Sequence, residues 1–332
     1  MGTKILRRIK TTVLLFTGLL VGAVSAHAVN LAAVEARWTP PDSAAPITMW
    51  GFIADPGSCP GSPVSWDLGP QQIGTAGGAL TINLRNCLNE DVSLVIPGLN
   101  ATLSPVINPS DTLGRSRATS FAKVATANGG TASYTWTNLK SGTFIYQSGA
   151  NPAKQVQMGL YGAVVIGPAP ADVAGEVMVF YSEIDPALHS PPVAATPLTY
   201  KPKYYLINGE AYSPSQAVSV VSQNTSQSNI LIRFCNAGLM SHMPVIQGEY
   251  MTVLAEDGNP LPFERQQYSV HLSPGKTYEA AWRPQKSGKY AIYDRRLSLT
   301  SDGAVGGGLL TYIDVRFPWP MFVPAMSKGG HN

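Results

Sequence analysis

Alternation, rather than a helical stripe, is the pattern that apolar residues make along this chain. Leu80 to Leu84 alternates. So does Gln267 to Leu272, with Tyr268, Val270 and Leu272 on one face and Gln267, Ser269 and His271 on the other. Both segments are predicted as half-buried strands. Val164-Val165-Ile166 and Val177-Met178-Val179-Phe180 are short apolar runs and read as buried strands. Asn128-Gly129-Gly130, Asp257-Gly258-Asn259-Pro260 and Ser273-Pro274-Gly275 supply turns between such segments. No stretch of a dozen residues carries a helical stripe. The prediction is an all-β chain of short strands.

The pattern occurs twice. Tyr134-Thr135-Trp136 followed by Lys140-Ser141-Gly142 is echoed by Ala280-Ala281-Trp282 followed by Lys286-Ser287-Gly288, 146 residues on. Arg85-Asn86-Cys87 is echoed by Arg233-Phe234-Cys235 at 148, and Gly159-Leu160-Tyr161-Gly162 by Gly308-Leu309-Leu310-Thr311 at 149. Ordered matches at nearly one offset mean a duplicated domain. Two tandem β-sandwiches follow, over residues 29–169 and 170–316, with Trp136 and Trp282 as equivalent core residues. The Pro-rich stretch from Asp185 to Pro202 reads as a long loop inside the second copy.

The first 28 residues read as an address. Lys4, Arg7, Arg8 and Lys10 precede an apolar run from Thr11 to Val24, and Ala26-His27-Ala28 forms a small-x-small cleavage signal. An uncleaved anchor is the rival reading, but the run is short for a span of about 20 residues. Cleavage near Val29 would leave no integral membrane segment. The expected location is the periplasm, the cell surface or the extracellular space. The full chain of 332 residues has 23 basic and 20 acidic side chains; without the signal, 19 basic remain against 20 acidic. Charged residues are only 13%, so neither a nucleic-acid partner nor a disordered chain is implied. In an oxidising compartment three cysteines form one disulfide at most. Cys59 with Cys87 is the favoured pair; three free thiols are the alternative. Residues 317–332 begin Phe317-Pro318-Trp319-Pro320-Met321-Phe322-Val323-Pro324, too Pro-rich for a strand interior. They would strap across a groove between domains or dock a partner.

Several of these motifs resemble the multicopper oxidase superfamily. Thr143-Phe144-Ile145-Tyr146-Gln147-Ser148, then Gln157-Met158-Gly159-Leu160-Tyr161-Gly162, is similar to that family's Gly-Thr-aromatic-x-Tyr-His-Ser-His and Gly-Leu-Tyr-Gly. Leu84-Arg85-Asn86 to Val95-Ile96-Pro97-Gly98-Leu99-Asn100 resembles the strand leading into His-Trp-His-Gly-Leu. Leu206-Ile207-Asn208-Gly209 and Ile230 to Leu239 resemble the opening of a second cupredoxin domain, and Glu256-Asp257-Gly258 and Leu272-Ser273-Pro274-Gly275 follow in the family's order. The resemblance spans about residues 75–316. It implies two plastocyanin-like Greek-key cupredoxin sandwiches.

The family's copper chemistry does not follow. Val95 and Pro97 stand where its first His-x-His pair would be, and Gln147 and Gly149 where its second would be. The four histidines after the signal, His189, His242, His271 and His331, form no His-x-His or His-Cys-His, and the family's third domain is expected to be lacking. A blue-copper site needs two imidazoles, a thiolate and a weak axial ligand. The copper ligands are therefore absent and no cofactor is expected. The one local set of soft donors is Met240, His242 and Met243, which could hold Cu(I). The competing reading is a loop after a strand, its methionines packed inward. His271 reads as solvated, His189 as exposed, and Asp91, Asp111, Glu183 and Asp185 as surface carboxylates. Ser-His-Asp catalysis has no supporting motif, and Gly306-Gly307-Gly308 is no phosphate loop, since it precedes a strand.

No catalytic residue is assigned. The expectation is an exported, copper-free, non-catalytic protein acting by structure, assembly or interaction, through a protein partner or self-assembly. The alternative is an oxidoreductase or copper carrier that completes its site with a partner subunit.

Overall fold

The computed structural model describes residues 26–66, 70–99, 105–108, 113–189, 200–212, 219–222, 228–300 and 308–317. The fold is all-β, with two sandwiches in tandem. In the first, β1 (Ala26–Trp38) runs antiparallel to β2 (Ile47–Ala54) and parallel to β5 (Ala79–Asn86). Strand β8 (Gly130–Thr137) continues that sheet, and β3 (Val64–Ser65) adds to β1. The facing sheet is β4 (Gln71–Thr75), β10 (Tyr161–Ile166) and β9 (Gly142–Gln147). A short ribbon of β6 (Val106–Asn108) and β7 (Arg117–Ser120) and one helical segment, α1 (Pro152–Met158), complete this half.

The second sandwich repeats the plan. Its larger sheet is β12 (Tyr204–Ile207), β11 (Val173–Ile184), β14 (Asn229–Asn236), β18 (Thr277–Trp282), β16 (Met251–Glu256) and β17 (Asn259–Gln267), in that order. Its smaller sheet is β13 (Ser219–Ser222), β20 (Leu310–Arg316), β19 (Gly288–Asp294) and β15 (Pro244–Ile246). Non-consecutive neighbours within each sheet are the mark of Greek-key winding.

The internal repeat is visible in the register. Leu80 faces Trp136 across β5 and β8, and Ile230 faces Trp282 across β14 and β18. Both tryptophans are fully buried at the centre of their cores. Burying such a side chain contributes about 1.5–3 kcal/mol. The match of Arg85-Asn86-Cys87 to Arg233-Phe234-Cys235 needs a correction of two residues, because the structural counterparts are Asn86 and Asn236. Each is a buried peg. Asn86 donates to the carbonyls of Glu90 and Ala125, and Asn236 to those of Met240 and Leu272. The shared Arg and Cys concealed this shift in the sequence.

One other expectation changes. Gln267 to Leu272 is not a regular strand. Ser269 and Leu272 make single bridges, to Val245 and His242, and Tyr268 is half-exposed. The strand lies just upstream, in β17, whose Pro260 and Pro262 suit an edge position. The structure also joins Cys59 to Cys87, with Cα atoms 5.3 Å apart, tying the loop after β2 to the end of β5.

The halves meet through apolar contacts. Trp38, Met49 and Trp66 pack with Ile184, Tyr204 and Leu206, while Tyr161 stacks on Phe180 at 5.4 Å. A polar knot sits beside them. The Arg233 guanidinium engages Glu176, Glu279 and the Thr143 hydroxyl, and Thr277 Oγ1 donates to the Thr143 carbonyl at 2.7 Å. Gly258, at φ 66°, lets Phe144 approach so closely that an added Cβ would lie 2.2 Å from the ring. Gly258→Ala should therefore destabilise the protein by about 1–3 kcal/mol through overpacking. The check is the denaturant midpoint, with an unchanged value the contrary result.

Candidate functional site

Three buried ionisable groups meet inside the second sandwich. His242 follows β14 in the loop pinned by Asn236. Its Nε2 lies 2.5 Å from Glu183 Oε1 and its Nδ1 lies 3.4 Å from Asp294 Oδ2. All three side chains are at most 1% exposed. Glu183 belongs to β11 in one sheet and Asp294 to β19 in the other, so the imidazole bridges the sheets. Tyr181 stacks on the ring at 5.2 Å.

The remaining lone pairs are served as burial demands. Glu183 Oε2 accepts from the Tyr200 hydroxyl at 2.9 Å and from the Leu239 amide at 3.0 Å. Asp294 Oδ1 accepts from the amides of Met243 and Arg296. Gly238 makes room for this, since a Cβ there would fall 2.2 Å from Glu183 Oε2. Burial works against charge on His242, but the Asp294 and Glu183 carboxylates outweigh it and raise its pKa. Burial pushes Asp294 up as well, but His242 and the two amides outweigh it and hold the carboxyl below its ordinary range.

The structure places Met240, His242 and Met243 in one loop. The Tyr205 hydroxyl is 4.0 Å from Met240 Sδ. Both ring nitrogens of His242 face carboxylates, so neither lone pair is directed at the methionines. Glu183 and Asp185 are corrections to the surface reading. Both are buried, and Asp185 caps the turn Pro186–Leu188 through the Ala187 amide. His189 is a further correction, being 5% exposed with Nδ1 on the Thr48 carbonyl at 2.8 Å. Burial lowers its pKa and favours the neutral ring. His271 is exposed, beside Ser273 Oγ at 3.2 Å.

The positions where the family resemblance would place copper ligands come together in the first sandwich. Val95 and Gln147 pair through both backbone bonds at 2.9 Å, and Gly149 is adjacent. A Cβ on Gly149 would meet Val95 Cγ1 at 2.8 Å and Ser93 Oγ at 2.9 Å. Ser93 is itself bonded to Ser120 at 2.7 Å, and Ser148 donates to Gln155 at 2.6 Å. Pro97 is exposed. The residues present do not fit a copper centre. Valine, proline and glycine have no donor side chain, and the one amide is no imidazole. The free thiol, Cys235, lies 3.7 Å from Met178 Sδ, and burial pushes its pKa far up, against the thiolate that copper takes. Among the described residues no group of three His, Cys, Asp or Glu side chains is arranged to hold a metal ion.

Two Greek-key sandwiches packed in this manner define a tandem cupredoxin fold, the fold of the multicopper oxidases and related copper proteins. Similar solved structures include a blue copper oxidase from Nitrosomonas europaea, at TM-score 0.70 and 18% identity over 88% of this chain and 86% of that one. A multicopper oxidase, mgLAC, aligns at TM-score 0.70 and 19% identity over 92% of each chain. A copper nitrite reductase from Nitrosomonas europaea aligns at TM-score 0.62 and 18% identity over 88% of this chain and 94% of that one. No family model matches the sequence, and no curated protein matches it.

His242→Leu would leave two buried carboxylates facing each other, and should cost about 3–5 kcal/mol. The pH dependence has a definite sign. The raised His242 contributes most below its ordinary pKa of 6.5, and that contribution fades as pH rises through its folded value. The depressed Asp294 contributes above its ordinary 3.8 and fades as pH falls through its folded value. Stability should therefore peak between about pH 4 and 6.5. Denaturant midpoints across pH 3–9 check this, and a maximum above pH 8 would contradict it.

Proposed function

We propose that this chain is an exported, copper-free relative of the multicopper oxidases with a structural, assembly or interaction role. One observation carries the reading. The positions expected to bear histidines carry Val95, Pro97, Gln147 and Gly149, and side chains occupy the space an imidazole at 149 would need. A sandwich pair of this size buries enough apolar surface to fold without a metal. The fold can then be kept for its surface rather than for a reaction.

Export is supported by the amino-terminal signal pattern, which lies almost wholly outside the described residues. The disulfide Cys59–Cys87 belongs to an oxidising compartment. No helix among the described residues is long and apolar enough to cross a membrane.

The similar solved structures are copper proteins by name, which favours the second reading, an oxidoreductase or carrier that takes copper at Met240, His242 and Met243 or shares a site with a partner. Copper content separates the two. The protein, loaded with copper and desalted, should retain no stoichiometric metal by mass spectrometry and oxidise no phenol or aromatic diamine. One tightly held copper per chain, lost in His242→Ala, would establish the second reading.

A further inference from the structure

The larger sheet of the second sandwich carries a groove of about 400 Å³ on the face turned away from its core. Val253, Ala280 and Trp282 belong to that core, so alternation sends Thr252, Glu279 and Ala281 to the opposite face. An irregular register shapes the groove. Val253 pairs with Arg265 and Ala255 with Pro260, so Leu261 to Glu264 of β17 all stand opposite Leu254. Pro170, Leu254, Pro260 and Leu261 give it apolar walls, and Ala255 and Ala281 are too small to fill it. A second hollow of about 350 Å³ shares Pro170, Pro260 and Glu279 and continues toward Ser141 and Ile166 of the first sandwich.

The groove is acidic as well as apolar. Asp172, Glu264 and Glu279 line it, and Arg233 of the adjoining hollow is the only cation among the described residues lining the two. Three carboxylates against one guanidinium leave a net charge of −2. Arg233 is already engaged by Glu176 and Glu279, and Asp172 accepts from Asn229. Glu264 and Arg265 are both exposed on β17, and of the two only Glu264 lines the groove. The edge itself is closed to strand addition, since Pro260 and Pro262 lack amide donors and the register shift breaks the ladder. A partner at this face is therefore held by side chains in the groove rather than as a further strand.

We propose that the groove docks an extended basic segment of a partner protein, with leucine or proline side chains against Pro170, Leu254 and Leu261 and arginine or lysine head groups on Glu264 and Asp172. The shape fits this occupant. From β18 across β16 to β17 is two strand spacings, about 10 Å, the width of one extended chain with its side chains. The charge fits it as well. A cationic segment gains attraction and faster encounter at an acidic face, whereas an acidic one meets repulsion. The aliphatic stems of Arg and Lys cover apolar walls while their head groups stay at the wet rim. The inference rests on the interaction role proposed above and gives it a surface and a class of partner. None of the positions compared with copper ligands lines the groove, so its test is read separately from copper content.

The full chain, isotope-labelled for amide NMR, is titrated with the peptide acetyl-Arg-Pro-Leu-Arg-Pro-Leu-amide and with its glutamate counterpart. The arginine peptide should shift the Leu254, Leu261 and Ala281 amides at millimolar concentration, and the shifts should weaken as salt rises. Glu264→Lys, on the exposed edge, should weaken binding about tenfold with an unchanged unfolding midpoint. Ala281→Leu should weaken it by filling the groove; should that variant fail to fold, the Glu264 variant carries the test alone. No shifts, shifts confined to another surface, or equal shifts from the glutamate peptide would overturn the proposal. Groove shifts that follow protein concentration without any peptide would also overturn it, by assigning the groove to a second copy of this chain.

Discussion

Burying charge between two sheets is the constraint on which the second sandwich depends. Glu183 and Asp294 lie on opposite sheets with their side chains buried, and the imidazole of His242 set between them is the group that can offset their charge. That demand explains the details around it. Gly238 must lack a side chain, the Leu239 and Met243 amides must point inward, and Asn236 must hold the loop that delivers them. A cluster of this kind orders a loop more than it stabilises a fold, since a well-packed apolar trio could hold the sheets at least as tightly.

The first sandwich shows that apolar solution. Val92 occupies the place of His242, each bridging back to the equivalent loop, at Ala125 and Leu272 respectively. Ser148 stands where Asp294 stands, each amide donating to the leucine before the next strand, Leu160 or Leu309. Glu35, the counterpart of Glu183, turns out to Arg37 on a partly exposed strand face. Hydroxyl and amide groups of Ser93, Ser120, Ser148 and Gln155 satisfy one another instead. The duplicated halves have thus parted in chemistry while keeping one winding. One is filled with neutral side chains; the other gathers two carboxylates around an imidazole. Neither arrangement presents converging imidazoles.

Much of the fold was legible in the sequence because its signals are local. Alternation around Leu80 to Leu84, the glycine turns and the paired Trp136 and Trp282 each report on a strand or its neighbour. The buried cluster was not legible, because Glu183, His242 and Asp294 are far apart in sequence and each looks ordinary alone. A carboxylate in a strand defaults to the surface, and only the loop after β14, which brings His242 and the Leu239 amide against Glu183, shows why it is buried. His189 misled for a similar reason. Its loop is Pro-rich, yet its ring reaches a backbone carbonyl of the other half. The comparison of Val95, Pro97, Gln147 and Gly149 with ligand positions comes from the family resemblance alone, whereas the lack of room at Gly149 required the packing.

The central claim is that this native state owes nothing to copper, and linkage tests it directly. A ligand that binds only the folded state raises stability by RT ln(1 + [L]/Kd), about 2.7 kcal/mol at a hundredfold excess over Kd. Unfolding midpoints should be measured with chelator, with Cu(II), and with Cu(I) under reductant mild enough to spare the disulfide. The account predicts one midpoint in all three, independent of copper concentration. A midpoint that climbs steadily with copper would contradict it and return the protein to the metal-binding branch of its fold.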